Sequence, residues 1–241
     1  MRLSALPALA AIPGYTQLDY LETQGGAYFD SGLKASGKFN VDAKIQALSA
    51  GYMAAQTAEW PCTVHALFGG GDRYFTNVIA VAATGFRGTN VTATCYYHGT
   101  DTLDGSHYRN NHGSIAATVT SNGGIQTPIV YTFTRSSNDI KLKWGSNTLG
   151  TFYRSNFVST NEFLIGNADI PDLAKSPANM KIWYFKIVDA TNGNALLRDF
   201  VPVRDNATGA VGLYDRVTET FFGNVAQRGR VFPGPVVRSP A

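Results

Sequence analysis

Residues 195–215 read ALLRDFVPVRDNATGAVGLYD, and the reading of this stretch decides the fold. Leu197, Asp199, Val201 and Val203 alternate with Arg198, Phe200, Pro202 and Arg204, which is the two-residue period of a β-strand. Pro202 has no N–H to give to a ladder, so the period predicts an edge or bulged strand here. DNATG then supplies a turn through Asn206 and Gly209, and VGLYD a second short strand. In such a strand–turn–strand unit the Arg and Asp side chains are expected to pair across strands or to accept backbone hydrogen bonds at turns. Catalytic carboxylates and a metal site are the competing explanations of the same spacing.

Outward from this stretch the same period recurs. FNVDAKIQAL (39–48) sets Phe39, Val41, Ala43, Ile45 and Ala47 against Asn40, Asp42, Lys44 and Gln46. HALFGGGDRYFTNVIAVAA (65–83) predicts two strands around a Gly-rich turn, and NVTATCYYHG (90–99) a further β-branched and aromatic run. PIVYTFTRSSNDIKLKWGSNTLGTFYR (128–154) predicts strands over 129–134, 140–144 and 148–153, with turns at 136–139 and 145–147. NEFLIGN (161–167) and MKIWYFKIVD (180–189) follow, the latter placing Trp183, Phe185 and Ile187 on one face and Tyr184 and Lys186 on the other. The 25 Gly, 12 Tyr and 14 Phe agree with strands and turns. No amphipathic helix, repeat or low-complexity tract emerges. The expectation is one all-β sandwich of two antiparallel sheets, in a chain of 241 residues that is long enough to bury a sizeable core.

Charge narrows the partners. The formal net charge is +3, and the excess comes wholly from Arg228, Arg230 and Arg238, because residues 1–219 hold equal numbers of bases and acids. A nucleic-acid footprint needs a basic face across a domain, so nucleic acid is not expected as a partner. No apolar run approaches the roughly 20 residues that span a bilayer. Cys62 and Cys95 allow one bridge or two thiols, which spacing does not decide. MRLSALPALAAIPGY (1–15) has the outline of a signal peptide, but Pro7 interrupts its short apolar part.

Five stretches carry a family resemblance: YTQLDYLETQGGAYFDSGLK (15–34), ALFGGGD (66–72), IKLKWGSNTLGT (140–151), FLIGN (163–167) and residues 181–224. Together they resemble the concanavalin A-like (LamG-like) jelly-roll domains of bacteriophage structural proteins, prophage regions and gut-bacterial surface proteins. The resemblance implies a jelly-roll β-sandwich over residues 15–234 with its first and last strands adjacent, an extended arm over 1–14 and a tail over 235–241. Both flanks are expected to reach neighbouring subunits, and the sandwich to survive deletion of 1–12 and 234–241. Residues 85–128 depart most from the pattern, and loops on a rigid scaffold carry recognition.

The chemical inventory is thin. Glycoside hydrolysis uses two carboxylates flanking the bond, whereas the four Glu are Glu22, Glu59, Glu162 and Glu219, and the pairs Asp19/Glu22 and Asp215/Glu219 lie in scaffold stretches. HGTDTLDGSHYRNNHG (98–113) matches no zinc spacing, although Asp101 and Asp104 with backbone carbonyls would suit Ca²⁺. GGGDR is not followed by the residues of a phosphate loop. No cofactor, resident metal or catalytic residue is therefore expected. Glycan binding asks only for an aromatic platform beside a few polar groups. Trp60, Tyr74 and Tyr108 would stack a sugar, and Asp72, Arg73, Asn77, His107 and Asn110 would bond its hydroxyls. The expected role is a non-enzymatic structural or adhesion module of a virion (capsid decoration or tail), assembled with other subunits and with lectin-like recognition of a glycan. The alternative is a bacterial cell-surface carbohydrate-binding protein or carbohydrate-processing enzyme of the same fold.

Overall fold

The computed structural model describes residues 11–48, 51–52, 65–72, 77–85, 91–98, 115–119, 129–135, 139–144, 147–153, 156–169, 177–226 and 229–237. In chain order the first strands are β1 (Tyr15–Gln17), β2 (Leu21–Gln24), β3 (Phe29–Ser36), β4 (Phe39–Ala47), β5 (Gly51–Tyr52) and β6 (His65–Gly70). There follow β7 (Val78–Gly85), β8 (Val91–His98), β9 (Ile115–Val119), β10 (Ile129–Arg135), β11 (Asp139–Trp144) and β12 (Asn147–Tyr153). The last six are β13 (Val158–Ile165), β14 (Met180–Asp189), β15 (Ala195–Asp205), β16 (Val211–Asp215), β17 (Thr220–Phe222) and β18 (Arg230–Pro233). No helix occurs among the described residues.

The strands form two sheets packed face to face. The large sheet runs β12-β11-β10-β4-β14-β15-β16-β17, and the small sheet β3-β13-β6-β7-β8-β9. Among the described residues every strand pairing is antiparallel except that of the two-residue β5 with β7. β4 shows why the sequence folds this way: Phe39, Val41, Ala43, Ile45 and Ala47 are buried, and the polar residues between them face outward. Between the sheets Phe68 and Phe163 of the small sheet meet Phe133 and Phe185 of the large one. The rings lie 5.1 Å (Phe68–Phe185), 6.0 Å (Phe163–Phe185) and 6.2 Å (Phe68–Phe133) apart, the three pairs edge to face. That geometry matches the ring quadrupoles and adds to the burial of each side chain.

The glycine run after Phe68 is a packing requirement. A Cβ on Gly69, whose φ is +137°, would come within 2.4 Å of Ala80 Cα, and one on Gly70 within 2.1 Å of Glu162 O. β6 is thus held too close to β7 and β13 for any side chain at these two positions.

Two expectations are corrected in the large sheet. β15 is bulged at Leu197, between Arg198 opposite Ile187 and Leu196 opposite Val188, but it is not an edge strand: β14 and then β1 line one side of it and β16 the other. Pro202 is tolerated because its missing donor falls where β14 has ended and β1 begins, and there its carbonyl accepts from Leu18 N at 2.9 Å. Asp199 to Val203 are buried without alternation. The outer face of this part of the sheet carries a cluster in which Tyr15 lies 5.0 Å from Tyr214 and 5.8 Å from Phe221. Trp183 does not share a face with Phe185 and Ile187. The register shifts between Ile182, opposite Ile45, and Tyr184, opposite Lys44, so Trp183 is the extra residue of a β-bulge. The bulge turns the indole outward.

β14 and β15 pair only over 185–189 and 195–200; beyond that they part. The gap is filled from both ends of the described chain. β1 pairs with β15, β2 with β14, and β18 with the far side of β2. Pairing continues past β18, with Gly234 N donating to Tyr20 O, Asp19 N to Pro235 O and Val237 N to Gln17 O. Residues 235–237 are therefore hydrogen-bonded into the sandwich. Gly229 lies so close to the 24–27 turn that a Cβ would sit 2.3 Å from Ala27 N.

Candidate functional site

Of the eight side chains expected to hold a ligand, Asp72 and Asn77 lie within the described residues; Trp60, Arg73, Tyr74, His107, Tyr108 and Asn110 lie outside them. Cys62 and residues 99–113, with the Ca²⁺ candidates Asp101 and Asp104, also lie outside. The structure brings Asp72 and Asn77 together at the end of the β6–β7 hairpin, with Asn77 Nδ2 donating to Asp72 Oδ2 at 2.8 Å. Asp72 Oδ1 accepts from Ser159 Oγ at 2.8 Å, Thr160 N at 2.8 Å and Thr160 Oγ1 at 2.7 Å, all on β13. Burial alone would raise the Asp72 carboxyl, but the bonds from Asn77, Thr160 and Ser159 together outweigh it and hold the group below its ordinary value. Asn77 has φ +46° and a buried Oδ1 with no protein partner among the described residues. The carboxylate ties the hairpin to β13 and has both oxygens engaged.

The charges of the opening stretch form a second constellation. Asp215 is fully buried; it accepts from Asp199 N at 2.8 Å, Val217 N at 3.1 Å and Thr218 Oγ1 at 2.8 Å. Arg198 Nε lies 3.6 Å from Asp215 and donates to Ser31 O at 2.9 Å, crossing to the small sheet. Asp199 Oδ2 takes Arg216 Nε and Nη2 at 3.0 and 2.7 Å. Asp205 caps its own turn, accepting from Ala207 N and Thr208 N. Cross-strand pairing and turn bonding, as expected from the sequence, account for Arg198, Asp205, Asp215 and Asp199 Oδ2, while Asp199 Oδ1 is buried with no protein partner among the described residues.

A third constellation covers the outer face of the large sheet, and sequence reasoning missed it as a site. Lys44 stands opposite Tyr184, and Asp42 opposite Lys186. One row crosses five strands as Lys143, Thr132, Asp42, Lys186 and Asp199. The Tyr20 and Trp183 rings lie 5.2 Å apart. Each of three rings has a lysine ammonium over it: Lys181 at 4.5 Å from Tyr20, Lys44 at 5.2 Å from Trp183 and Lys186 at 5.9 Å from Tyr184. Such contacts are worth about 0.5–1 kcal/mol at partly exposed sites, so a competing partner displaces them at little cost. Tyr184 OH donates to Asp42 Oδ1 at 3.0 Å. Burial, with the nearby Asp42 charge and that bond, pushes the phenol up to about 12. Glu22 lies 3.9 Å from Lys181. Around the rings, Lys44, Lys143, Lys181 and Lys186 face Asp42 and Glu22, while Asp199 is neutralised by Arg216. The face is aromatic and carries excess positive charge. The outward positions of Asp42, Lys44, Tyr184 and Lys186 were legible from alternation; that of Trp183 was hidden by the bulge.

A scan against protein-family models finds no match to this chain, and a comparison with curated proteins finds none either.

Proposed function

We propose that this chain is a non-enzymatic recognition module of a virion or cell surface, built on a concanavalin A-like (LamG-like) sandwich, that binds a glycan on the outer face of its large sheet. One observation carries the reading: Tyr20, Trp183 and Tyr184 are grouped, part-exposed, on the outer face beside Lys44, Lys181, Lys186, Asp42, Glu22 and Gln46. An indole turned outward by a bulge contributes little to the core and supplies a flat apolar surface for the C–H face of a sugar. The carboxylates Asp72, Asp199, Asp205 and Asp215 favour binding over hydrolysis, being bound to backbone and side chains of the fold. Placement on a virion or cell surface, in the company of other subunits, rests on the family resemblance of the sequence. Among the described residues no helix is long and apolar enough to cross a membrane.

The test is a panel of neutral and acidic polysaccharides, assayed for retention of the protein and for release of reducing ends or unsaturated sugars. Retention without release is expected. Release of sugar ends would make the chain an enzyme, and retention by no member of the panel would remove the glycan altogether.

A further inference from the structure

Resting on that reading, the arrangement of lysines over the rings narrows the ligand class. We infer that the Tyr20–Trp183–Tyr184 face takes a carboxylated polysaccharide, with ring stacking and ammonium pairing supplied by the same three aromatic–lysine couples.

The argument begins with what occupies the rings. Lys181, Lys44 and Lys186 place their ammonium groups 4.5, 5.2 and 5.9 Å from the centres of Tyr20, Trp183 and Tyr184. A sugar that stacks on these rings has to move the ammonium aside. A neutral sugar offers the displaced charge nothing in return beyond what water gives. A sugar bearing a carboxylate takes the ammonium as its counter-ion, so the ring face is freed while the charge gains a partner. Lysine suits this exchange because its point charge rides on a flexible four-carbon stem.

Geometry fits a chain-like ligand. Tyr20 and Trp183 are 5.2 Å apart, with Tyr184 next in sequence to Trp183, and Lys143 extends the positive charge along the row that passes through Thr132, Asp42 and Lys186. The acids on this face are outnumbered: Asp42, which accepts from Tyr184 OH, and Glu22, 3.9 Å from Lys181, stand among Lys44, Lys143, Lys181 and Lys186. The amide of Gln46, opposite Lys181 in the ladder, lies on the same face. Nucleic acid is the less favoured polyanion, since the chain is charge-balanced over residues 1–219.

The experiment uses the full chain and four carboxylated polymers (polygalacturonate, alginate, hyaluronan and polysialic acid), each beside its carboxyl-reduced, neutral counterpart. We expect at least one acidic polymer to bind about tenfold or more tightly than its reduced form, with affinity falling as salt is raised. Trp183→Ala should cost that polymer about tenfold, whereas Trp183→Phe, which keeps a ring at the bulge, should cost no more than about threefold. The triple change Lys44→Gln, Lys181→Gln, Lys186→Gln should abolish the preference for the acidic form. Equal binding of acidic and reduced forms overturns the inference but leaves glycan recognition standing. Binding unaffected by Trp183→Ala, or equal competition by a single-stranded oligonucleotide, overturns it as well. Binding to no polymer, acidic or reduced, removes this inference and the glycan reading together.

Discussion

Asp72 shows how much one carboxylate does when its oxygens are fully used. It was singled out in the sequence as a hydroxyl ligand, and the residue type and loop position were legible; that Ser159 and Thr160, almost ninety positions away, would take its oxygens was not. Its depressed carboxyl gives a signed prediction. A group with a lowered folded pKa contributes stability that is present above its unfolded value near 4 and is lost as pH falls through the folded value. Asp72→Asn should therefore be less stable than the parent at pH 7, and the gap should narrow toward pH 2–3. Urea unfolding at a series of pH values measures this; a gap independent of pH would mean that the charge contributes nothing.

Among elements, β15 is where a local rule gave way to topology. Its strand character and its charge pairing were readable from alternation, yet Pro202 argued for an edge. The ladder accommodates it because β14 hands over to β1 at that point, a junction made by residues far apart in sequence. The β14 bulge is similar: Trp183 is apolar and falls in phase with Phe185, so periodicity draws it inward, and only the register with Ile45 and Lys44 moves it out. The Arg198–Asp215 and Asp199–Arg216 pairs lock β15 to β16 and the turn beyond it. Removing one buried partner leaves backbone donors and an arginine uncompensated. Asp215→Ala should cost about 3–5 kcal/mol in chemical denaturation. A loss below about 1 kcal/mol would show that water satisfies the donors instead.

At the scale of the molecule, the two-sheet sandwich and most of its strands were foreseeable because strand periodicity survives in short windows. Periodicity does not give the closure of the large sheet, which depends on pairing between residues 15–24 and 229–237; adjacent first and last strands were expected from the family resemblance alone. Deletion of residues 229–241 strips β18 and the bonds of Gly234, Pro235 and Val237 from β1 and β2. Net contributions of about 1 kcal/mol for each hydrogen bond predict a loss of several kcal/mol, read as a lower thermal midpoint.

That closing pair also sets an order of events during synthesis. β1 and β2 are made well before their partners: those on β14 and β15 follow more than 150 residues later, and β18 later still. Until then the N-terminal segment is a strand without a ladder, exposing Leu18 and Leu21, which end fully buried. Loop-closure entropy over such a separation makes the last step slow. A nascent chain of this protein stays vulnerable to proteases and to pairing with other edges until β18 is made.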